Sequence, residues 1–293
     1  MASWNVEGLT ELKLVQLILV MEERRIDVLC IQETRETNAE YRRSLYGYLF
    51  INSGEVECQA SFAGTGFILN PRAQRSLISF KQISGRICTL KLRTSGGKLV
   101  IVNAYAPHNG YMFSIRQLFY QELSCIIANT RTYGLQMVLG DLNARIHRRF
   151  AGEEHILGAS VFGNPCYVPS TTSNRELLME LCRCNDLMVA NTLQEDADPA
   201  TLVTYCEIGS TPSDPISFRS FAQLDLCLLP ASMASRLIYF RSCMDVALPS
   251  HHFLVESVVD VDVKKRLRIN APPLRRDHSA LRDIETRNAF VET

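Results

Sequence analysis

Residues 26–32 read IDVLCIQ and residues 136–141 read QMVLGD, two apolar runs without the polar alternation of a half-exposed strand. A strand of that kind has to be covered on both faces. Each run ends in polar chemistry: Glu33 follows the first, and Asp141 closes the second with Asn143 just beyond. Such a chain must fold in layers, with its sheets shielded by other elements.

The other segments indicate which layers. SWNV at the start predicts a short strand. Thr10 is placed to cap a helix to about Arg25, with Leu14, Leu17, Ile18 and Met21 at helical spacing. GYLFIN, SFAGTGFIL, RICTLKLRT and KLVIVNAY read as strands without intervening helices, the last two joined by a Ser95-Gly96-Gly97 turn. Helices are expected over about 112–130 and across RELLMELCRCNDL, the second capped by Asn174. Between the QMVLGD strand and that helix, residues 144–173 are long, polar and irregular, as in a functional loop. LMVANT, LVTYCEI, AQLDLCLL, SRLIYF and FLVESVVDV supply further strands. Crossover units followed by hairpins predict an α/β fold of two packed mixed sheets with helices outside. One domain is expected over 1–263. Residues 264–293, with Pro272-Pro273, read as a basic linker and a short helix from about Ser279.

Composition narrows the classes. No run of eighteen apolar residues is present, so no membrane helix is expected. The start, MASWNVEGLTELK, lacks a basic region followed by an apolar core, so no secretory signal is expected, and the intracellular reading comes from the cysteines. The ten cysteines are scattered through apolar runs (Cys30, Cys88, Cys125, Cys227), as for buried, reduced thiols rather than a disulfide framework. Cys182 and Cys184 have no second pair or histidine at zinc spacing. The net charge of zero divides into +4 over 264–293 and −4 before it. That excludes a tight, general nucleic-acid binder and permits an enzyme that meets a polyanion locally.

Several polar residues end apolar strands: Glu33, Asn103, Tyr105, Asp141, Asn143, Asp225 and His252. Residues just past strand ends commonly line the crevice of an α/β sheet. Each alone is as well read as a turn or capping residue. Asp225 differs, because an acid between Leu224 and Leu226 needs a partner, and a histidine is a suitable one. Two carboxylates (Glu33, Asp141) and two amide oxygens (Asn5, Asn143) suit a hard cation such as Mg²⁺. A cation, an acid-backed histidine and hydrogen-bond donors are what attack of water on a phosphodiester requires.

In chain order, WNVEGL, QET, GTGFIL, NAYAPH, GDLNA, QLDLCLL and SHHF resemble the signature segments of the endonuclease/exonuclease/phosphatase, or DNase I-like, superfamily. The resemblance covers about residues 3–263 and implies a four-layer α/β sandwich. NRELLMELCRCNDLMVANT and the basic continuation are most similar to endonuclease domains of non-LTR retrotransposons, where a linker leads to a reverse transcriptase in cis. The resemblance implies that Asn5 and Glu33 hold the metal, Tyr105 contacts phosphate, Asp141 aligns or deprotonates water, and Asn143 binds the phosphate. It further implies that Asp225 orients His252 and that His252 acts on the phosphoryl oxygen.

Position 251 departs from the family's Ser-Asp-His, since this chain has Ser-His-His. His251 therefore stands at the metal where an acid is usual, which should weaken Mg²⁺ and favour Mn²⁺. His108 stands where abasic-site enzymes have asparagine. Arg145, Arg148 and Arg149 could grip DNA phosphates or belong to a solvated loop. The expectation is a Mg²⁺-dependent endonuclease that nicks DNA to leave a 3′-hydroxyl, acting in the nucleus. The alternatives are a related phosphoesterase acting on RNA or inositol phosphates, and an inactive binding module.

Overall fold

The structure, a computed structural model, describes residues 1–36, 42–54, 63–131 and 134–261. The linker and helix expected over 264–293 lie outside the described residues. One sheet contains β1 (Ala2–Asn5), β2 (Val28–Gln32), β3 (Arg42–Leu45), β4 (Tyr48–Ser53), β5 (Thr65–Leu69), β14 (Leu237–Cys243) and β15 (Leu254–Val259). The second contains β6 (Leu77–Gln82), β7 (Ile87–Thr94), β8 (Gly97–Tyr105), β9 (Gly134–Asp141), β10 (Leu187–Val189) and β13 (Asp225–Pro230). A small ribbon, β11 (Tyr205–Cys206) with β12 (Phe221–Ala222), stands apart. The helices that matter here are α1 (Glu11–Glu23), α2 (Pro71–Ser76), α3 (Phe113–Thr130) and α4 (Asn174–Asn185).

The first sheet runs β14-β15-β1-β2-β5-β4-β3 and the second β10-β13-β9-β8-β7-β6. Both are mixed: β1 with β2 and β8 with β9 are parallel, and the other pairs in these sheets are antiparallel. Strand alternation distributes the apolar side chains. Val28 and Cys30 face the second sheet, meeting Cys88, Leu90, Ile101, Leu139 and Cys227 in the inter-sheet core. Leu29 and Ile31 face the other way, against Leu14, Leu17, Ile18 and Met21 of α1. On the far side, Val100, Val102 and Val138 pack on Phe119, Leu123 and Ile127 of α3 and Leu178 of α4. Helix, sheet, sheet, helix is the four-layer sandwich that the doubly buried runs require.

Local chemistry sets the boundaries. The Thr10 hydroxyl accepts from the Lys13 N–H and starts α1. α4 is capped by Ser173, whose hydroxyl accepts from Glu176 N–H, rather than by Asn174. The Asn174 amide is engaged elsewhere, donating to the carbonyls of Pro107 and Asn143. Gly140 sits at φ +146°, where a Cβ would fall 1.9 Å from the Ala104 carbonyl oxygen on the parallel neighbour, so only glycine fits. The described cysteines are all free. Cys30, Cys88 and Cys227 are buried as expected, whereas Cys125 is exposed because it lies on the outer face of α3. Among the described residues no helix is long and apolar enough to cross a membrane.

Candidate active site

One end of the sandwich collects the polar strand ends of both sheets. In the second sheet, Tyr105 pairs with Asp141 and Asp141 with Asp225, so three candidate side chains occupy one row across β8, β9 and β13. In the first, Asn5 ends β1 beside Gln32, and Glu33 is the next residue. His252 precedes β15. Its short bridge to Tyr205 shows that regular pairing with β1 and β14 begins only afterwards.

The side chains form one network. Tyr105 OH donates to Glu33 Oε1 at 2.8 Å. Asn5 Nδ2 donates to Glu33 Oε1 at 3.0 Å and to Asp141 Oδ2 at 3.1 Å. Asn143 donates its backbone N–H to Asp141 Oδ1 at 2.9 Å and its Nδ2 to Asp141 Oδ2 at 3.2 Å. His252 Nδ1 meets Asp225 Oδ2 at 2.8 Å, and its Nε2 points toward Asp141 Oδ2, 3.9 Å away. Glu33 and Asn143 both hold positive φ, +51° and +47°. Backbone strain of that kind in non-glycine residues concentrates at functional sites.

Burial sets the protonation states. Asp141 is 2% exposed and Asp225 fully buried. Burial, with Asp225 alongside, pushes the Asp141 carboxyl up to about 7 against the pull of His252. Burial alone would lower the His252 pKa, but the charge and hydrogen bond of Asp225, helped by Asp141 and Glu7, raise it to about 9. His252 is thus a cation at neutral pH and presents an Nε2 proton to the site. Burial, then the Glu33 and Asp141 carboxylates, raise the Tyr105 pKa, so the phenol remains a donor.

Asn5, Glu33, Tyr105, Asp141, Asn143, Asp225 and His252 are therefore one cluster. Asn103 is not part of it. Its amide donates to the carbonyls of Ile31 and Gly66 and accepts from Gln32, tying the two sheets together. The adjacent histidines occupy different surroundings. His252 is 5% exposed, while the half-exposed His251 places its Nδ1 within 3.0–3.1 Å of the Glu7 carboxylate and donates its backbone N–H to the same group. Arg145 forms an ion pair with Glu207, Arg148 lies over the Phe150 ring, and Arg149 donates to the Leu157 carbonyl.

Three supporting residues escape a reading of the sequence. Glu7 brings a carboxylate to the same edge; although burial pushes its pKa up, the His251 hydrogen bonds hold it below the usual range. Its only sequence signal is its place two residues after Asn5. Thr204 Oγ1 accepts the N–H groups of both Leu224 and Asp225, fixing the start of β13. Ser250 Oγ donates to the Asn5 carbonyl and accepts from His252 N–H, locking the histidine turn to β1. Thr204 acts on backbone 20 and 21 residues away and Ser250 reaches Asn5 across 245 residues, which local sequence cannot reveal.

The donor set suits a hard divalent cation. Glu33, Asp141 and Glu7 offer carboxylate oxygens, and Asn5 offers an amide. Among the described residues no group of three or more His, Cys, Asp or Glu is arranged to hold a metal, so amide oxygens and water would have to complete the shell. Asn5 directs its nitrogen between the two carboxylates, which need a donor there. The Asn5 oxygen accepts from Glu7 N–H at 3.1 Å, so turning the amide over to present that oxygen to a cation would exchange this bond for the ligand.

A model of the Endonuclease/Exonuclease/phosphatase family matches residues 2–265. Craniofacial development protein 2 from Tragulus javanicus and from Bos taurus are each 25% identical to this chain over 195 residues, 65% of its length. The match spans 31% and 30% of those relatives, so this chain corresponds to about a third of their length. Among solved structures, AP endonuclease LMAP from Leishmania major superposes with a TM-score of 0.65 at 19% identity, covering 87% of this chain and 86% of that one. A 3′ phosphatase from Neisseria, bound to a product DNA hairpin, gives 0.63 at 16% identity, covering 88% and 98%. An AP endonuclease from Archaeoglobus fulgidus gives 0.61 at 16% identity, covering 89% and 98%. At these identities the likeness is one of fold.

Proposed function

Because the chain belongs to the Endonuclease/Exonuclease/phosphatase family, we propose that it is a divalent-metal-dependent endonuclease that hydrolyses a DNA phosphodiester and leaves a 3′-hydroxyl. The observation that carries this reading is the arrangement around Asp141. A buried, protonated His252 backed by Asp225 stands on one side, and the Glu33–Asn5–Tyr105 group stands on the other. A cation donor, a carboxylate and oxygen ligands thus converge around Asp141, the groups that in-line attack on a phosphoryl group calls for.

Each residue has a role that follows from its surroundings. Asp141, with a pKa near neutrality, can take a proton from an attacking water as well as align it. His252 Nε2–H faces the same space and can bind a phosphoryl oxygen as charge develops on it. Asp225 holds the ring by Nδ1 and keeps it charged. The Asn143 Nδ2 donates to the Ala106 carbonyl and, more loosely, to Asp141, and the second of these bonds is the one it would give up to receive a phosphoryl oxygen. Tyr105 supplies a phenol proton at the edge of Glu33. Glu33 and Asn5, with Glu7 close by, are the residues that would hold Mg²⁺ or Mn²⁺. Such a cation would neutralise phosphate charge during attack. His251 would reach the cation only by leaving Glu7, and it enters this reading as a partner of that carboxylate.

The finer reading, an endonuclease of a non-LTR retroelement with a reverse transcriptase in the same polyprotein and action in the nucleus, rests on the resemblance of GDLNA, SHHF and NRELLMELCRCNDLMVANT. The test is nicking of supercoiled plasmid with Mg²⁺, with Mn²⁺ and with chelator, beside parallel assays on RNA and on release of phosphate from inositol phosphates. Metal-dependent nicking, abolished by chelator, is expected. Turnover of inositol phosphates or RNA without nicking would move the protein to another branch of the family's chemistry.

A further inference from the structure

Beside the cluster a polar cleft of about 310 Å³ opens between the entry to α3 and the loop that leads into α4. Arg116, Arg145, His147, Tyr167, Ser170 and Thr172 are among its lining residues. Its charge is not balanced. Arg145 is paired with Glu207, and Arg175 with Glu153 and Glu176. Arg116, only 6% exposed, makes no ion pair among the described residues. Its Nε and Nη1 donate to neutral oxygens: the carbonyls of Tyr111 and Thr172 and the side chains of Asn109 and Asn174. Its Nη2 donates to nothing among the described residues. A buried guanidinium without a counter-charge is costly, and here its free edge belongs to a residue that lines an open cleft.

Other features fit an anion there. Ser170 and Thr172 lie on the exposed side, their hydroxyls bonded to each other at 3.4 Å, which leaves one O–H of the pair to donate outward. His147 is stacked on Tyr167 at 4.1 Å. Burial, then Arg145 and Arg175, lower the His147 pKa to about 4, so its ring is neutral and can also donate. The cleft is joined to the reacting cluster through Asn174, whose amide bonds the carbonyl of Asn143 at 3.0 Å while its oxygen accepts from Arg116.

We infer that this cleft binds a backbone phosphate of the nucleic-acid strand next to the one being cleaved, with Arg116 Nη2 as its charged anchor. The inference rests on the nuclease reading above and assigns that site its grip on the strand outside the scissile group. A free phosphate would satisfy the same chemistry, but the continuity with Asn143 favours a strand.

The test measures duplex DNA binding by fluorescence anisotropy in chelator, where cleavage is absent, for the full chain. The probes are wild type, Arg116→Gln and Ser170→Glu; the last puts a carboxylate into the cleft from its exposed side and keeps the test decisive should Arg116→Gln fail to fold. Both variants should bind about tenfold more weakly, the size expected for a lost charged hydrogen bond. The salt dependence of log affinity should fall by about one, as for one phosphate contact. Binding by a folded Ser170→Glu with wild-type affinity and salt slope overturns the inference. So does unchanged duplex binding together with inorganic phosphate raising the Tm of wild type but not of Ser170→Glu, which would make this a free-phosphate site. If wild type nicks no nucleic acid while the variants still lose duplex binding, the cleft is a strand-phosphate contact without a scissile neighbour: the nuclease reading falls and only the phosphate contact stands.

Discussion

Glu33 shares one carboxylate oxygen between Tyr105 and Asn5, and its backbone holds positive φ to place it there. Glu33→Gln keeps the shape but removes the charge that would hold a hard cation. Plasmid nicking should fall by about 100-fold or more, as when a major electrostatic contributor is removed. Near-normal nicking by the folded variant would remove Glu33 from the site. His252 gives a second expectation, read in stability. Folded His252 binds its proton more tightly than the unfolded chain does, since its pKa rises from 6.5 to about 9. Its contribution is therefore complete below 6.5 and is lost as pH climbs through about 9. The loss should be roughly 3 kcal/mol. Asp141, raised to about 7, loses its own contribution earlier in the same direction, so the window above 7 belongs mainly to His252. Urea midpoints of wild type should fall between pH 7 and about pH 10 more steeply than those of His252→Gln. Parallel curves would show that the pair with Asp225 does not hold the proton.

The loop over 144–173 is an element built without regular structure, and Arg175 holds it in place. That side chain is 2% exposed, bonds the carbonyls of Ile146 and Arg148, and forms a two-point pair with Glu153. Glu153 in turn accepts the Phe150 N–H. Glu153→Ala should cost about 3–5 kcal/mol in urea unfolding, because it strands a buried guanidinium. A cost below about 1 kcal/mol would show that water or Glu176 takes over. None of this clasp was legible in the sequence, where Arg175 is one more helical arginine. α1 and α3 were legible because their apolar faces repeat at helical spacing, and β2 and β9 because both of their faces are covered. β3 and β6 were not: RRSL is short, LISFKQ is half exposed, and both lie at sheet edges where packing imposes little pattern. Within the site, the strand-end acids were legible, because an acid after an apolar run stands out. Thr204 and Ser250 were not, since what ties their hydroxyls to the site is backbone far away in sequence.

At the scale of the molecule, the site exists only because two sheets are stacked: Asn5 and Glu33 come from one, and Tyr105, Asp141 and Asp225 from the other. We propose that the catalytic domain ends near Val263. A protein cut there should keep cooperative unfolding and nicking, while binding DNA modestly more weakly at low salt for want of the basic residues beyond. Loss of cooperative unfolding would place the tail within the fold. The pairing of β1 with β15 has a consequence in time. Ala2 and Ser3 lie against Glu256 and Val255, and the indole of Trp4, the sole tryptophan, donates to the carbonyl of His252. The two ends of the domain must meet before the histidine is in place, and closing so long a loop is slow. Trp4 emission should therefore report the slowest refolding phase after dilution from urea. Nicking should return with the same rate constant, and activity that recovers ahead of the tryptophan signal would show that the site forms before the chain ends meet.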